Sequence, residues 1–300
     1  MKIIVTGASG WLGLNSIRFF LNNGLQIENL IFVGSSKREI NVCDGIKINI
    51  NTFEETIKSL DSNEVEGIVH LAYLTRDKVG KNIGEYIEKN LIITDQIFQL
   101  LKLKPKWLSY VSSGAIYSNF EKLIIENDPK TNPYGFLKYQ DEQKFSKYCM
   151  ENSINLSIGR LWGASGTDFI NPAKYAFGEF VLKTIANQDI EIISPRKVFR
   201  KYCDSEQFME ICIRTAQQYP FTVFNSSGDL IEIEELANLV VKTLSGKNHV
   251  TRKIFTNHEI ADDYYGRDND FFTIAKNLKV DVLSLQDQIL KTFHFLRNCL

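Results

Sequence analysis

The chain has 300 residues, 44% of them hydrophobic, with 35 Lys and Arg against 36 Asp and Glu and a formal net charge of −1. That length holds one large α/β domain or two modest ones, and the apolar content excludes a disordered or fibrous polymer. A balanced charge gives no one-signed field to draw a polyanion, which argues against a nucleic-acid partner. The longest apolar runs, such as 154–161, are far too short to span a bilayer. The opening Met1-Lys2-Ile3-Ile4-Val5 meets a Thr-Gly turn too early for a secretory segment, so a soluble cytoplasmic protein is expected, away from membranes. Five scattered cysteines without a C-x-x-C pair read as reduced thiols. His258-Glu259 opens like a zinc-protease helix, but Asp262 stands where the second histidine belongs, and no metal site is expected.

In chain order, 2–6 is a β-branched strand closed by Gly7, and 11–23 has helical periodicity closed by Gly24. Strands follow at 29–34 and 45–50. Thr52 offers an N-cap and Glu55 its capping-box partner for a helix over 53–60. A strand at 65–72, a long amphipathic helix at 83–102, a strand at 107–112, a helix from about Tyr134 and a strand at 155–161 complete the first half. Beyond Gly163 the rhythm loosens into helices at 174–187, 204–218, 232–244 and 283–296, with a strand at 221–225. Strands apolar on both faces, alternating with helices, predict an α/β fold with a Rossmann-type doubly wound parallel sheet. The expected division is a dinucleotide-binding domain over 1–163, a later strand within about 198–225 returning to it, and a smaller α/β substrate lobe over 164–300.

Thr6-Gly7-Ala8-Ser9-Gly10-Trp11-Leu12-Gly13 lies straight after a strand and straight before a helix. Glycines three apart allow a tight turn, a close approach to a pyrophosphate and helix-on-sheet packing. The helix N-terminus then receives the anion. Gly7, Ser9, Gly10, Trp11, Leu12 and Gly13 are therefore candidate cofactor contacts. The second strand ends in Gly34-Ser35-Ser36-Lys37-Arg38, with no acid before Glu39. Ser35, Ser36, Lys37 and Arg38 suit a ribose 2′-phosphate better than a free hydroxyl, so NADP is expected, with NAD as the alternative.

Tyr134 and Lys138 stand at i and i+4 on one helical face, and Ser113 closes a strand. A free tyrosine titrates near pH ~10, and a neighbouring ammonium favours its phenolate. Lowering that value by about three units takes about 4 kcal/mol. Ser113 is placed to hydrogen-bond a substrate carbonyl or hydroxyl. His70 reads as a hydrogen-bonded core histidine.

These motifs in this order resemble the extended short-chain dehydrogenase/reductases, the nucleotide-sugar epimerase/dehydratase superfamily. The family's T-G-x-x-G-x-x-G is Thr6 to Gly13, its H-L-A-A is His70-Leu71-Ala72-Tyr73, and its N-x-x-x-T is Asn90 to Thr94. Its S-S-x-x-x-Y is Ser112 to Tyr117, and its Y-x-x-x-K is Tyr134 to Lys138. The resemblance implies Ser113, Tyr134 and Lys138 as catalytic residues, with Lys138 also on the nicotinamide ribose. It places Leu71, Ala72, Tyr73, Asn90 and Ser112 along the cofactor groove. Tyr73, Ser113, Gly163 and Arg200 fall on the substrate side, Arg200 toward a nucleotide diphosphate, and Arg160 beside them reads as structural. Relatives often form homodimers through two long helices, and 83–102 and 134–152 offer such a pair.

The same resemblance narrows the reaction. The sugar dehydratases carry acids in the stretch here occupied by Ser113-Gly114-Ala115. The epimerase-reductases use a cysteine where Ala115 stands and a later histidine that Gly163-Ala164-Ser165-Gly166 lacks. What remains is hydride and proton exchange between a carbonyl and an alcohol. The leading expectation is an NADPH-dependent 4-ketoreductase acting on a nucleotide-linked deoxysugar. The alternatives are an NAD-dependent nucleotide-sugar 4-epimerase and a non-catalytic cofactor-binding scaffold. The chain departs from its relatives at Gly163, where they have Asn, and at Leu278-Lys279-Val280-Asp281, where they have Trp-x-Pro.

Overall fold

A computed structural model of the chain describes residues 1–42, 45–62, 64–78, 80, 82–119, 124–125, 128–252, 260–266 and 270–299. Cys43 and the His258-Glu259 pair lie outside them. The chain divides into two compact units, one of residues 1–160 and 209–224, the other of residues 161–208 and 225–300.

The first unit is built on an eight-stranded sheet. Its strands are β1 (Lys2–Thr6), β2 (Leu30–Gly34), β3 (Arg38–Asn41), β4 (Lys47–Thr52), β5 (Val65–His70), β6 (Trp107–Ser113), β9 (Asn155–Leu161) and β13 (Phe221–Asn225). They lie in the order β13-β9-β6-β5-β1-β2-β4-β3. Central β1 is parallel to both β2 and β5, and Ile4, Val5, Val33, Ile68 and Val69 are wholly buried, as a strand covered on both faces requires. The chain runs outward from β1 through β2 to β4, then returns to β5 on the other side of β1. That reversal opens a crevice at the carboxyl ends of β1 and β5, where folds of this topology bind ligands.

Helices α1 (Trp11–Asn22), α2 (Phe53–Ser59), α3 (Ile83–Leu101) and α4 (Pro133–Glu151) make the crossovers, with a short hairpin of β7 (Tyr117–Asn119) and β8 (Ile124–Ile125) before α4. Their starts follow local chemistry. The capping box of Thr52 and Glu55 forms on α2, Asn82 caps α3, and Asn132 caps α4 ahead of Pro133. Ile97 and Leu100 of α3 and Phe145 of α4 pack with Ile68, Leu108 and Tyr110 in one core.

The second unit has its own core, from α5 (Ala176–Ile185), α7 (Ile233–Thr243) and α9 (Leu285–Cys299), with Phe177, Val181, Leu236, Val240 and Ile289 at its centre. Its sheet is organised by β12 (Val198–Asp204), which pairs with β10 (Gly163–Ser165), β14 (Leu230–Glu232) and β16 (Asp262–Tyr264). A separate pair joins β11 (Ile190–Ile192) to β15 (Val250–Arg252). Helix α6 (Ser205–Gln218) follows β12 and belongs to the first unit from residue 209, and α8 (Asp270–Asn277) precedes α9. The later strand that joins the large sheet is β13; β12 stays with the second unit. Among the described residues no helix is long and apolar enough to cross a membrane, and no group of three His, Cys, Asp or Glu side chains could hold a metal ion. Cys149, Cys203 and Cys212 are buried thiols outside any disulfide.

Candidate active site

The crevice begins at Thr6. Its Oγ1 accepts from the backbone N–H of Leu71 (3.1 Å) and Ala72 (3.2 Å) and lies 2.9 Å from His70 Nδ1. A hydroxyl that accepts twice has its proton left for the imidazole, which leaves the ring N–H on Nε2. Burial and the nearby Lys138 charge hold His70 well below the usual imidazole range, so it is a neutral part of the core. These bonds draw residues 71–72 against Gly7, which sits at φ +68°, where a Cβ would fall 2.8 Å from Ala72 N. Only glycine combines that turn with that approach. Gly10 is the N-cap of α1, and no side chain of that residue caps the helix. An anion on the first-turn amides fits a dinucleotide pyrophosphate.

At the far side of the turn, Arg38 folds back over the glycine loop. Its guanidinium donates to Ser9 Oγ (2.7 Å) and Ser36 Oγ (2.9 Å), and no carboxylate among the described residues pairs with it. Lys37 points elsewhere, 3.3 Å from Glu55, and Ser35 is exposed beside it. The expected four-residue cluster is thus Arg38 with Ser9 and Ser36. Arg38 opens the antiparallel edge strand β3, a segment that reads in the sequence as loop.

Ser113 ends β6, 7% exposed, and its Oγ accepts from Ala115 N at 3.1 Å, starting a tight turn over Gly114–Ile116. Helix α4 begins against that turn. Asn132 accepts from Gly135 N (3.0 Å) and donates to Ala115 O (2.6 Å). A Cβ on Gly135 would overlap the Ala115 carbonyl, so a glycine is needed for the strand-end serine and the Tyr134 turn to adjoin. Neither Asn132 nor Gly135 stands out in the sequence as a site residue.

Lys138 is buried, with 4% of its surface exposed. Its Nζ donates to Val111 O at 2.8 Å and lies 3.8 Å from the centroid of the Tyr73 ring and 4.7 Å from that of Tyr110. Tyr73 in turn meets Tyr134 edge-on, with centroids 5.8 Å apart. The expected Tyr134 and Lys138 pair therefore comes with a third member, Tyr73, that touches both. The Tyr73 hydroxyl is buried without a hydrogen-bond partner, as is Ser112 Oγ. Asn90 is buried with its Oδ1 on Leu74 N (3.0 Å) and its Nδ2 on Tyr86 O (3.2 Å), so it shapes the loop that carries Tyr73.

Behind Lys138, α4 carries Asp141 and Glu142, each 1% exposed. Glu142 takes both arms of Arg160 (3.0 and 2.7 Å), whose third nitrogen reaches Tyr117 OH. Arg160 is thus a structural, half-buried ion-pair residue. Burial pushes the Lys138 amine down to about 7, opposed by the charges of Asp141 and Glu142. It pushes the Asp141 carboxyl up to about 6, opposed by Lys138 and by Thr94.

Gly163 and Arg200 belong to the second unit. Gly163 opens β10 opposite Tyr202. The Arg200 guanidinium, expected on a diphosphate, is paired with Asp262 (3.3 Å) and donates to the carbonyls of Phe199 and Asp262, each at 2.8 Å.

A nucleotide turn at the switch point of a doubly wound sheet, next to a Tyr-x-x-x-Lys helix, defines a Rossmann-fold protein of the extended short-chain dehydrogenase/reductase type. The chain belongs to the NAD dependent epimerase/dehydratase family, whose pattern matches residues 3–225. It is 29% identical over 169 residues to a UDP-glucose 4-epimerase of Caenorhabditis elegans, covering 48% of each chain. The chain thus matches about half the length of that curated relative. Among solved structures, UDP-glucose 4-epimerase of Thermotoga maritima with UDP-glucose superposes with a TM-score of 0.76 at 17% identity, over 100% of this chain and 99% of that one. The Thermus thermophilus UDP-glucose 4-epimerase complex with NAD gives 0.75 at 15% identity over 100% of both. At those identities the likeness is one of fold.

Proposed function

We propose that the protein is a nucleotide-sugar 4-epimerase, oxidising the sugar at C4 and reducing it again on the opposite face. The observation that carries this reading is the make-up of the turn after β6. Gly114, Ala115 and Ile116 are all buried and offer neither carboxylate nor thiol beside Ser113. Elimination, or epimerisation next to a carbonyl, needs such an additional acid or base. Tyr134, Ser113 and Lys138 alone supply what one alcohol–ketone exchange requires. The 4-epimerase relative aligned over about half the chain supports the same choice, and that preference replaces the ketoreductase as the leading expectation.

In this reading Tyr134 takes the O4 proton as the ketone forms and returns it on re-reduction. Ser113 holds O4 throughout, and Lys138 keeps a positive charge beside the phenol and the ribose. A bound nicotinamide ring supplies the acceptor and donor of hydride. The residues fit that group: the α1 N-terminus for pyrophosphate, and the Tyr73, Tyr134 and Lys138 corner for the nicotinamide end.

A second reading has its own observation. Arg38 on Ser9 and Ser36, without a carboxylate partner, favours a 2′-phosphate, hence NADPH and net 4-keto reduction. Mass spectrometry of the co-purified dinucleotide, followed by proton NMR of UDP-glucose and UDP-galactose with the protein, separates the two. Interconversion without net change in cofactor absorbance is the expected result. Oxidation of NADPH by a nucleotide-linked 4-keto sugar, with no interconversion, would establish the reductase.

A further inference from the structure

We propose that Asp141 is a positioning residue for Lys138, a buried carboxylate one helical turn behind it whose charge keeps the lysine amine protonated and in place. The ammonium has one oxygen acceptor, Val111 O, and otherwise two aromatic faces. Aromatic faces stabilise a cation, yet taking an ammonium out of water without a counter-charge strongly favours its neutral form. No carboxylate pairs with Lys138 directly among the described residues. Of the two acids nearest along α4, Glu142 is committed to Arg160 by a two-armed bond.

Asp141 is the uncommitted charge. It is held in place from two other elements, with Thr94 Oγ1 of α3 2.9 Å from Oδ1 and Tyr110 OH of β6 3.5 Å from Oδ2. Tyr110 joins the two groups, presenting its ring to the ammonium and its hydroxyl to the carboxylate. The other titratable groups around the pair are neutral His70, Tyr73, Tyr134, the Glu142–Arg160 ion pair and the more distant Lys144. None of these places an uncommitted negative charge near the amine. The effect on chemistry rests on the function proposed above; the charge coupling itself belongs to the protein without cofactor or substrate.

The test reads Lys138 directly. The full chain, labelled with 13C at the lysine ε-carbon and free of dinucleotide, is titrated by NMR, with Lys138→Met to assign the signal. The Asp141→Asn midpoint should fall by about one pH unit or more, a tenfold loss of protonation at a given pH. Asp141→Glu should restore it. An unmoved midpoint in a folded Asp141→Asn protein overturns the proposal. Should that variant not fold, Thr94→Ala keeps the carboxylate but loosens it, and a downward shift is again expected; no shift there overturns the proposal equally. In turnover, the alkaline limb of the kcat/KM profile should move down with the midpoint. Loss of the coupling with activity intact refutes this inference alone, whereas a shifted midpoint in a protein inactive on every nucleotide sugar refutes the function and leaves the coupling standing.

Discussion

Tyr73 occupies the place where the site's parts meet, its face on the Lys138 ammonium and its ring in a T-shaped contact with that of Tyr134. Its identity could be read from the sequence and its contacts could not, because a strand-end position does not say which way a ring turns. Tyr134→Phe removes the proton carrier and leaves the ring contact, so kcat should fall by roughly 10²–10⁴. Isothermal titration of the same variant should find dinucleotide affinity retained. Arg38→Ala should weaken NADP binding while leaving NAD nearly unchanged, as measured by Kd for each; equal loss for both would remove the 2′-phosphate role from this residue. Arg38 was legible as a candidate because no acid precedes Glu39. Its partner Ser9 lies 29 positions away, a proximity that only the tertiary fold creates.

Among the elements, strong periodicity and caps were the readable signals. Helices α1, α2 and α3 start and stop close to where apolar spacing, the Thr52 and Glu55 capping box and the closing Gly24 place them. The edge strand β3 escaped because four mostly exposed residues, three of them polar, carry no burial pattern, and its charged side chains are of the kind that guard a sheet edge. The contacts that anchor the start of α4 escaped for a different reason: Asn132 and Gly135 act on Ala115, across a loop. Asn132→Ala should cost about 1–2 kcal/mol of stability through the lost cap, seen as a lower denaturation midpoint. Glu142→Gln removes the charge paired with the half-buried Arg160 and should cost about 3 kcal/mol in the same assay. Nothing in the one-dimensional pattern marked Asp141 or Glu142 as buried, since acids on a helix are ordinarily solvated.

For the whole protein, the sheet and its crevice were foreseeable from alternating strands and helices, whereas the second unit's sheet, stitched from strands of three residues and the longer β12, was not. The buried amine makes global stability pH-dependent. Its folded value is depressed to about 7 from the ordinary 10.5, so between those values the unfolded chain binds more protons and stability rises with pH. Urea unfolding at pH 7 and pH 9 should register that rise, and Lys138→Met should abolish it. A dinucleotide at a hundred times its Kd should add about 2.7 kcal/mol, and the larger Tm gain of NAD or NADP identifies the resident cofactor.

The chain enters the first unit twice, and its second visit, residues 209–224, delivers most of β13 to the outside of β9. A fragment ended at residue 160 would keep the glycine turn, Ser113, Tyr134 and Lys138, yet leave β9 as a bare border of unsatisfied amides and carbonyls. Such a piece should self-associate through that border. Producing the nucleotide-binding half on its own therefore calls for splicing the later segment back in, either after residue 160 or ahead of residue 1.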